Sequence, residues 1–125
     1  MNTRPLISVV DDDESVRESL PDLLKEFGFD AQAFSSAADF LKSDWVSRTN
    51  CLILDVAMPG MTGPDLQREL TLRRQEIPIV FITARGDSTV RPRLLARGAI
   101  ECLSKPFSEE ALLDALNAAL RMREI

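Results

Sequence analysis

Asp11, Asp12, Asp55, Thr83 and Lys105 each lie at or just past the end of a short apolar run rich in β-formers. The runs are Leu6-Ile7-Ser8-Val9-Val10, Cys51-Leu52-Ile53-Leu54, Ile79-Val80-Phe81-Ile82 and Ala99-Ile100-Glu101-Cys102-Leu103. If they are parallel strands of one sheet, all five polar residues emerge at its carboxyl edge, where open α/β sheets bind ligands. Three carboxylates, a hydroxyl and an ammonium in one cleft suit a divalent cation together with a phosphoryl group. Converging carboxylates repel one another in a partly dehydrated site, so a cation is needed to balance them. Oxygen ligands suit Mg²⁺, with Mn²⁺ as the alternative, and the chain has no histidine to recruit zinc.

Each of these residues also has an ordinary reading. The run Asp11-Asp12-Asp13-Glu14 is what the positive end of a helix dipole favours. That reading suits Asp13, as an N-cap, and Glu14. For Asp11 and Asp12 the partnership with Asp55 outweighs it. Asp55 precedes Val56-Ala57-Met58-Pro59-Gly60-Met61-Thr62-Gly63, a turn that can present main-chain groups to a ligand. Its carboxylate could serve as a metal ligand only, or also as a nucleophile toward phosphorus. Thr83 could simply bond its own backbone. Lys105 could be a surface lysine, yet it precedes Pro106 and is one of three lysines among fifteen basic residues. A point charge on a long stem can neutralise a phosphoryl oxygen.

The elements that must hold these residues alternate along the chain. Val16, Leu20, Leu23, Leu24 and Phe27 recur at helical spacing up to Gly28, with Pro21 predicting a kink or a loosened first half. Phe29 to Phe34 alternates as an edge strand does. Ser36 caps a second helix leading to Phe40 and Leu41, and Gly63-Pro64 opens a third with Pro at its first position. A fourth helix, Val90 to Arg97, is expected to be short because of Pro92. Ser108 caps the last, whose stripe is Leu112, Leu113, Leu116, Ala119 and Leu120. Five βα units of this length require parallel strands with right-handed crossovers. The polar second strand favours the order 2-1-3-4-5, a flavodoxin-like doubly wound (βα)5 sheet whose switch point lies over Asp11, Asp12 and Asp55.

At 125 residues the chain reads as a single domain over 1–125 that can bury its own core. A net charge of −5 argues against a nucleic-acid surface over the whole chain, and no recognition-helix motif is present. Cys51 and Cys102 fall in apolar runs and are expected to be reduced. Nothing has the pattern of a signal peptide or the ~20 apolar residues of a membrane span, so a cytoplasmic location is expected.

The motifs Val-Val-Asp-Asp-Asp, Leu-Ile-Leu-Asp-Val-Ala-Met-Pro-Gly-Met-Thr-Gly, Ile-Thr-Ala-Arg-Gly-Asp and Leu-Ser-Lys-Pro-Phe resemble the receiver domain of two-component response regulators. The resemblance runs from about Leu6 to Leu120. The Asp55 loop and Ile-Thr-Ala-Arg-Gly-Asp are most similar to FixJ-like receivers, which usually carry a helix-turn-helix output domain. By position, the resemblance implies that Asp55 is the phosphoacceptor. It implies Mg²⁺ bound by Asp12 directly, by Asp11 largely through water, by Asp55, and by the main-chain carbonyl of Ala57. Thr83 and Lys105 would contact the phosphoryl group, with Lys105-Pro106 a cis peptide. The implied partners are a sensor histidine kinase and a second copy meeting the fourth helix, fifth strand and fifth helix. The domain would be a switch, not a turnover enzyme, controlling transcription through an attached or separate output.

Two positions depart from that pattern. Receivers commonly place Tyr or Phe three residues before the lysine, where this chain has Cys102, a thiol that cannot fill the space an aromatic ring vacates or occupies. Pro92 is a second oddity near the same face. Ala57 is also too small to orient a water attacking the phosphoryl group, whereas Arg85 can reach across it. Ala57 further lacks the second acid that an aspartyl-phosphate hydrolase wants there. The arginines between 67 and 97 (Arg68, Arg73, Arg74, Arg85, Arg91, Arg93 and Arg97) read as solvated helix faces or as a patch for an acidic partner.

Overall fold

The computed structural model describes residues 4–84 and 89–123. Five parallel strands, β1 (Leu6–Val10), β2 (Asp30–Phe34), β3 (Cys51–Asp55), β4 (Ile79–Thr83) and β5 (Glu101–Ser104), form one sheet in the order β2-β1-β3-β4-β5. Between and after them run α1 (Glu14–Glu26), α2 (Ala37–Lys42), α3 (Gly63–Leu72), α4 (Val90–Ala96) and α5 (Glu109–Arg123). The expected fold and strand order are therefore those observed. A 3₁₀ turn at Val46–Arg48, which has no hydrophobic period to announce it, precedes β3.

Strand alternation divides the core into two layers. Ile7, Val9, Cys51, Ile53, Val80 and Ile82 face α1 and α5, meeting Leu20, Leu24, Leu112 and Leu116. Val10, Leu52, Leu54, Ile79, Phe81 and Cys102 face the other way, against Phe40, Leu66, Leu70 and Leu94 from α2, α3 and α4. Each fully buried Leu, Ile or Phe contributes on the order of 1.5–3 kcal/mol. The three central strands are buried along their whole length. β2, at the edge, exposes Asp30 and Ala33.

Capping residues fall largely where the sequence suggests. Asp13 accepts from the Ser15 N–H at 3.0 Å and from Ser15 Oγ at 2.8 Å, contacts that hold its carboxyl below the usual range. Ser36 caps α2 through the Asp39 N–H, and Ser108 caps α5 through the Ala111 N–H. Thr62 and Asp65 form a reciprocal capping box that starts α3 at Gly63, so Pro64 takes the second helical position instead of the first. Pro21 lies inside α1 without dividing it. α4 is short, as expected, and Pro92 sits in its first turn, where a missing N–H costs little.

Cys102 is buried in the α4-side layer, and both cysteines are free thiols. An aromatic ring at 102 would have to displace neighbours such as Leu94. The Glu101 beside it accepts two hydrogen bonds from Arg91, at 2.7 and 3.0 Å, and one from the Cys102 N–H at 2.9 Å, tying α4 to the outer edge of β5. Arg68, Arg73, Arg74, Arg91, Arg93 and Arg97 are all exposed, as solvated helix faces require.

Candidate metal centre

The carboxyl ends of β1, β3, β4 and β5 meet at one edge. Asp55 is the last residue of β3, in register with Ile82, and Thr83 follows at the end of β4. The Lys105 N–H donates to the Thr83 carbonyl at 2.9 Å, which draws the segment after β5 over the same edge. Asp11 follows β1 directly. The expected residues thus converge, although 94 positions separate Asp11 from Lys105.

Burial differs sharply among the acids. Asp11 is wholly buried and Asp55 is 7% exposed, whereas Asp12 faces solvent. Asp11 is the most tightly held: Oδ1 accepts from the Asp13 N–H at 2.9 Å, Oδ2 from Lys105 Nζ at 3.2 Å, and its main-chain carbonyl from Arg17 Nη1 at 3.0 Å. Asp11, Asp12 and Asp55 each present a carboxylate oxygen within 4.8 Å of the other two. This set of three hard, anionic donors around one point is what a small divalent cation requires. The site can therefore hold a metal ion.

Electrostatics point the same way. Burial, the charge of Asp11 and a hydrogen bond shared with it push the Asp55 carboxyl up to about 7, while Lys105 and the Ala57 N–H pull it down. Burial and the neighbouring Asp11 thus make ionisation of Asp55 costly without a cation. The raised value has a sign that can be measured. Stability from protonated Asp55 is fully present below its ordinary value of 3.8 and lost as pH rises through about 7. We expect metal-free protein to lose stability over that window, with the slope largely absent from Asp55→Asn. Denaturant melts in chelator at several pH values check this. A wild-type curve parallel to that of the variant would refute the raised Asp55 carboxyl.

Two contacts here were not foreseen in the sequence. Gly63 reads there only as a helix opener, yet its N–H donates to the Val56 carbonyl at 3.0 Å. A Cβ at Gly63 would run into the Asp55 carbonyl oxygen and come within 3.0 Å of the Phe81 ring. Nothing local in the sequence signals that Arg17 reaches back to the Asp11 carbonyl. Lys105-Pro106 is cis, as the resemblance implied. Arg85 lies outside the described residues. The Ala57 side chain is exposed beside the acid cluster. Among the described residues no buried side-chain polar atom lacks a partner.

Comparison with known proteins agrees with this geometry. Residues 7–117 match the family model described as the response regulator receiver domain. Nodulation protein W of Bradyrhizobium diazoefficiens is 44% identical over 118 residues, covering 94% of this chain and 52% of that protein. Transcriptional regulatory protein FixJ of the same species is 33% identical over 124 residues, 99% of this chain and 60% of that protein. The solved structure of response regulator StyR superposes with a TM-score of 0.87 at 48% identity, over 96% of this chain and 61% of that one. The chain spans about half to three fifths of the length of these relatives. No helix among the described residues is long and apolar enough to cross a membrane. Receiver domains are signalling switches and not turnover enzymes. With the family model matching residues 7–117 and nodulation protein W 44% identical over 94% of this chain, the chain belongs to the receiver domains of two-component response regulators.

Proposed function

We propose that this domain is a cytoplasmic phosphoryl-accepting switch in which Asp55 takes a phosphoryl group from the phosphohistidine of a sensor kinase. The observation that carries the reading is the approach of Asp11, Asp12 and Asp55 to within 4.8 Å, with Lys105 Nζ already at 3.2 Å from Asp11. An Asp55 oxygen attacks phosphorus in line, the P–N bond breaks, and its electron pair leaves with the imidazole, which is released neutral because its other ring nitrogen carries a proton. Asp55 must be ionised to attack. Mg²⁺, with Mn²⁺ as a substitute, would be held by Asp11, Asp12, Asp55 and the Ala57 carbonyl, and supplies charge neutralisation for the acids and the incoming phosphoryl oxygens. Lys105 is placed to pair with one phosphoryl oxygen and Thr83 to donate to another.

The acyl phosphate then shifts a two-state equilibrium read at α4, β5 and α5, where a second copy or an output partner binds. The Arg91–Glu101 contact spans two of those elements. Cys102, buried at the position of the usual aromatic residue, governs how far that change reaches the output face. Relatives named as transcriptional regulatory proteins are longer than this chain, which supports transcription as the output.

Incubation with radiolabelled acetyl phosphate tests the reading. One equivalent of base-labile label should appear with Mg²⁺ and none in chelator. Continuous release of inorganic phosphate without retained label would instead indicate a hydrolase. Absence of label under both conditions would indicate a domain used only for protein contacts.

A further inference from the structure

We propose that Arg17 is a positioning residue for the metal site, holding the Asp11–Asp12 peptide from one turn inside α1. The inference rests on the metal-dependent reading above and names a residue that this reading does not use. β1 and β2 run parallel, and beyond their last paired residues the Asp11 N–H still donates to the Phe34 carbonyl at 3.1 Å. In a strand the N–H and C=O of one residue point to the same side. The Asp11 carbonyl therefore also faces β2, but β2 ends at Phe34 and the chain turns away to cap α2 at Ser36. Arg17 Nη1 supplies the missing donor at 3.0 Å.

That carbonyl belongs to the peptide joining Asp11 to Asp12. Rotation about the bonds flanking it would swing Asp12, the exposed acid, toward or away from the other two. The remaining contacts of Asp11 do not prevent this. The N–H bond to Phe34 fixes the peptide before Asp11 and not the one after it, while Asp13 and Lys105 hold its carboxylate, and Lys105 holds an oxygen for which a bound cation competes. Arg17 is well anchored for the task, because its own N–H donates to the Asp13 carbonyl at 3.2 Å within the first turn of α1. The turn between Asp11 and Arg17 is thus closed at both ends, and a charge-assisted bond to a carbonyl is among the stronger ones.

Position and charge make opposite demands on Mg²⁺. As a nearby cation Arg17 opposes Mg²⁺, so a purely electrostatic role predicts tighter binding when its charge is removed. A positioning role predicts weaker binding, since losing the partners that orient metal ligands typically costs about tenfold or more in affinity. Calorimetric Mg²⁺ titration of this chain, with Arg17→Met and Arg17→Lys, separates the two. We expect Arg17→Met to bind Mg²⁺ roughly tenfold more weakly. Arg17→Lys, which retains a charged donor, should recover part of that loss.

Metal-free melts identify any variant that must be titrated in the cold to remain folded. Arg17→Met binding Mg²⁺ as tightly as wild type or more tightly would overturn the proposal, as would Arg17→Lys no better than Arg17→Met. Wild type that binds no Mg²⁺ would instead overturn the metal-dependent reading itself.

Discussion

Asp55→Asn is expected to take up no detectable phosphoryl group from acetyl phosphate while remaining folded and gaining stability at alkaline pH. The loss is complete because an amide is a poor nucleophile toward phosphorus, and no other described carboxylate combines burial at this edge with a position at the end of β3. The gain arises because wild-type Asp55 must ionise beside Asp11, against burial and a like charge that raise its carboxyl to about 7. An amide avoids that cost and can still hydrogen-bond to Asp11. In metal-free protein at pH 8 the difference should be roughly 1–3 kcal/mol, read from denaturant melts. Mg²⁺ should stabilise wild type more than the variant, since the variant offers one anionic ligand fewer. Base-labile label retained on Asp55→Asn would place the acceptor elsewhere.

Gly63→Ala should be among the most destabilising single-methyl changes in the chain. The N–H of Gly63 is bonded to Val56 and its Cα faces the Asp55 carbonyl, so an added methyl has backbone on one side and the Phe81 ring on the other. Neither can yield as a flexible side chain does. The start of α3 must move away from β3, at a cost of about 3 kcal/mol, the upper end for overpacking. For a domain of this size that corresponds to a fall in Tm of roughly 10 °C. Because Asp55 lies at the point of collision, its labelling rate should fall as well.

Gly60→Ala makes a useful contrast. Gly60 has a φ of +75° but open space around a Cβ, so the strain there is purely local and on the order of 1–2 kcal/mol. Trimming Phe81 to Leu should not rescue Gly63→Ala, because the nearer obstacle is main chain. A melt unchanged by Gly63→Ala would mean that α3 can slide freely over β3.

Much of this architecture is legible in the sequence because the physics involved is local or periodic. Buried parallel strands appear as unbroken apolar runs, and helices as stripes ended by Gly or capped by Ser and Asp. Alternation of the two forces a parallel sheet. The polar residue ending each run then has only one edge at which to emerge. That reasoning brings Asp11, Asp12, Asp55, Thr83 and Lys105 to one edge from the sequence alone. The same logic explains the small misses. The ends of β5 and the start of α3 depend on single hydrogen bonds, such as those of the Thr62–Asp65 capping box, which hydrophobic patterning does not encode.

Only the tertiary structure decided the fine organisation of the site, because those relations join atoms with no sequence periodicity between them. It divided three similar-looking acids into a buried Asp11, a buried Asp55 and an exposed Asp12, and so made Asp55 the acid whose carboxyl burial and Asp11 push upward. It paired Lys105 with Asp11 across 94 residues and showed that Gly63 is required by the approach of α3 to β3, not by a turn. It also made Arg17 the donor that completes the end of β1, because β2 stops one hydrogen bond too early.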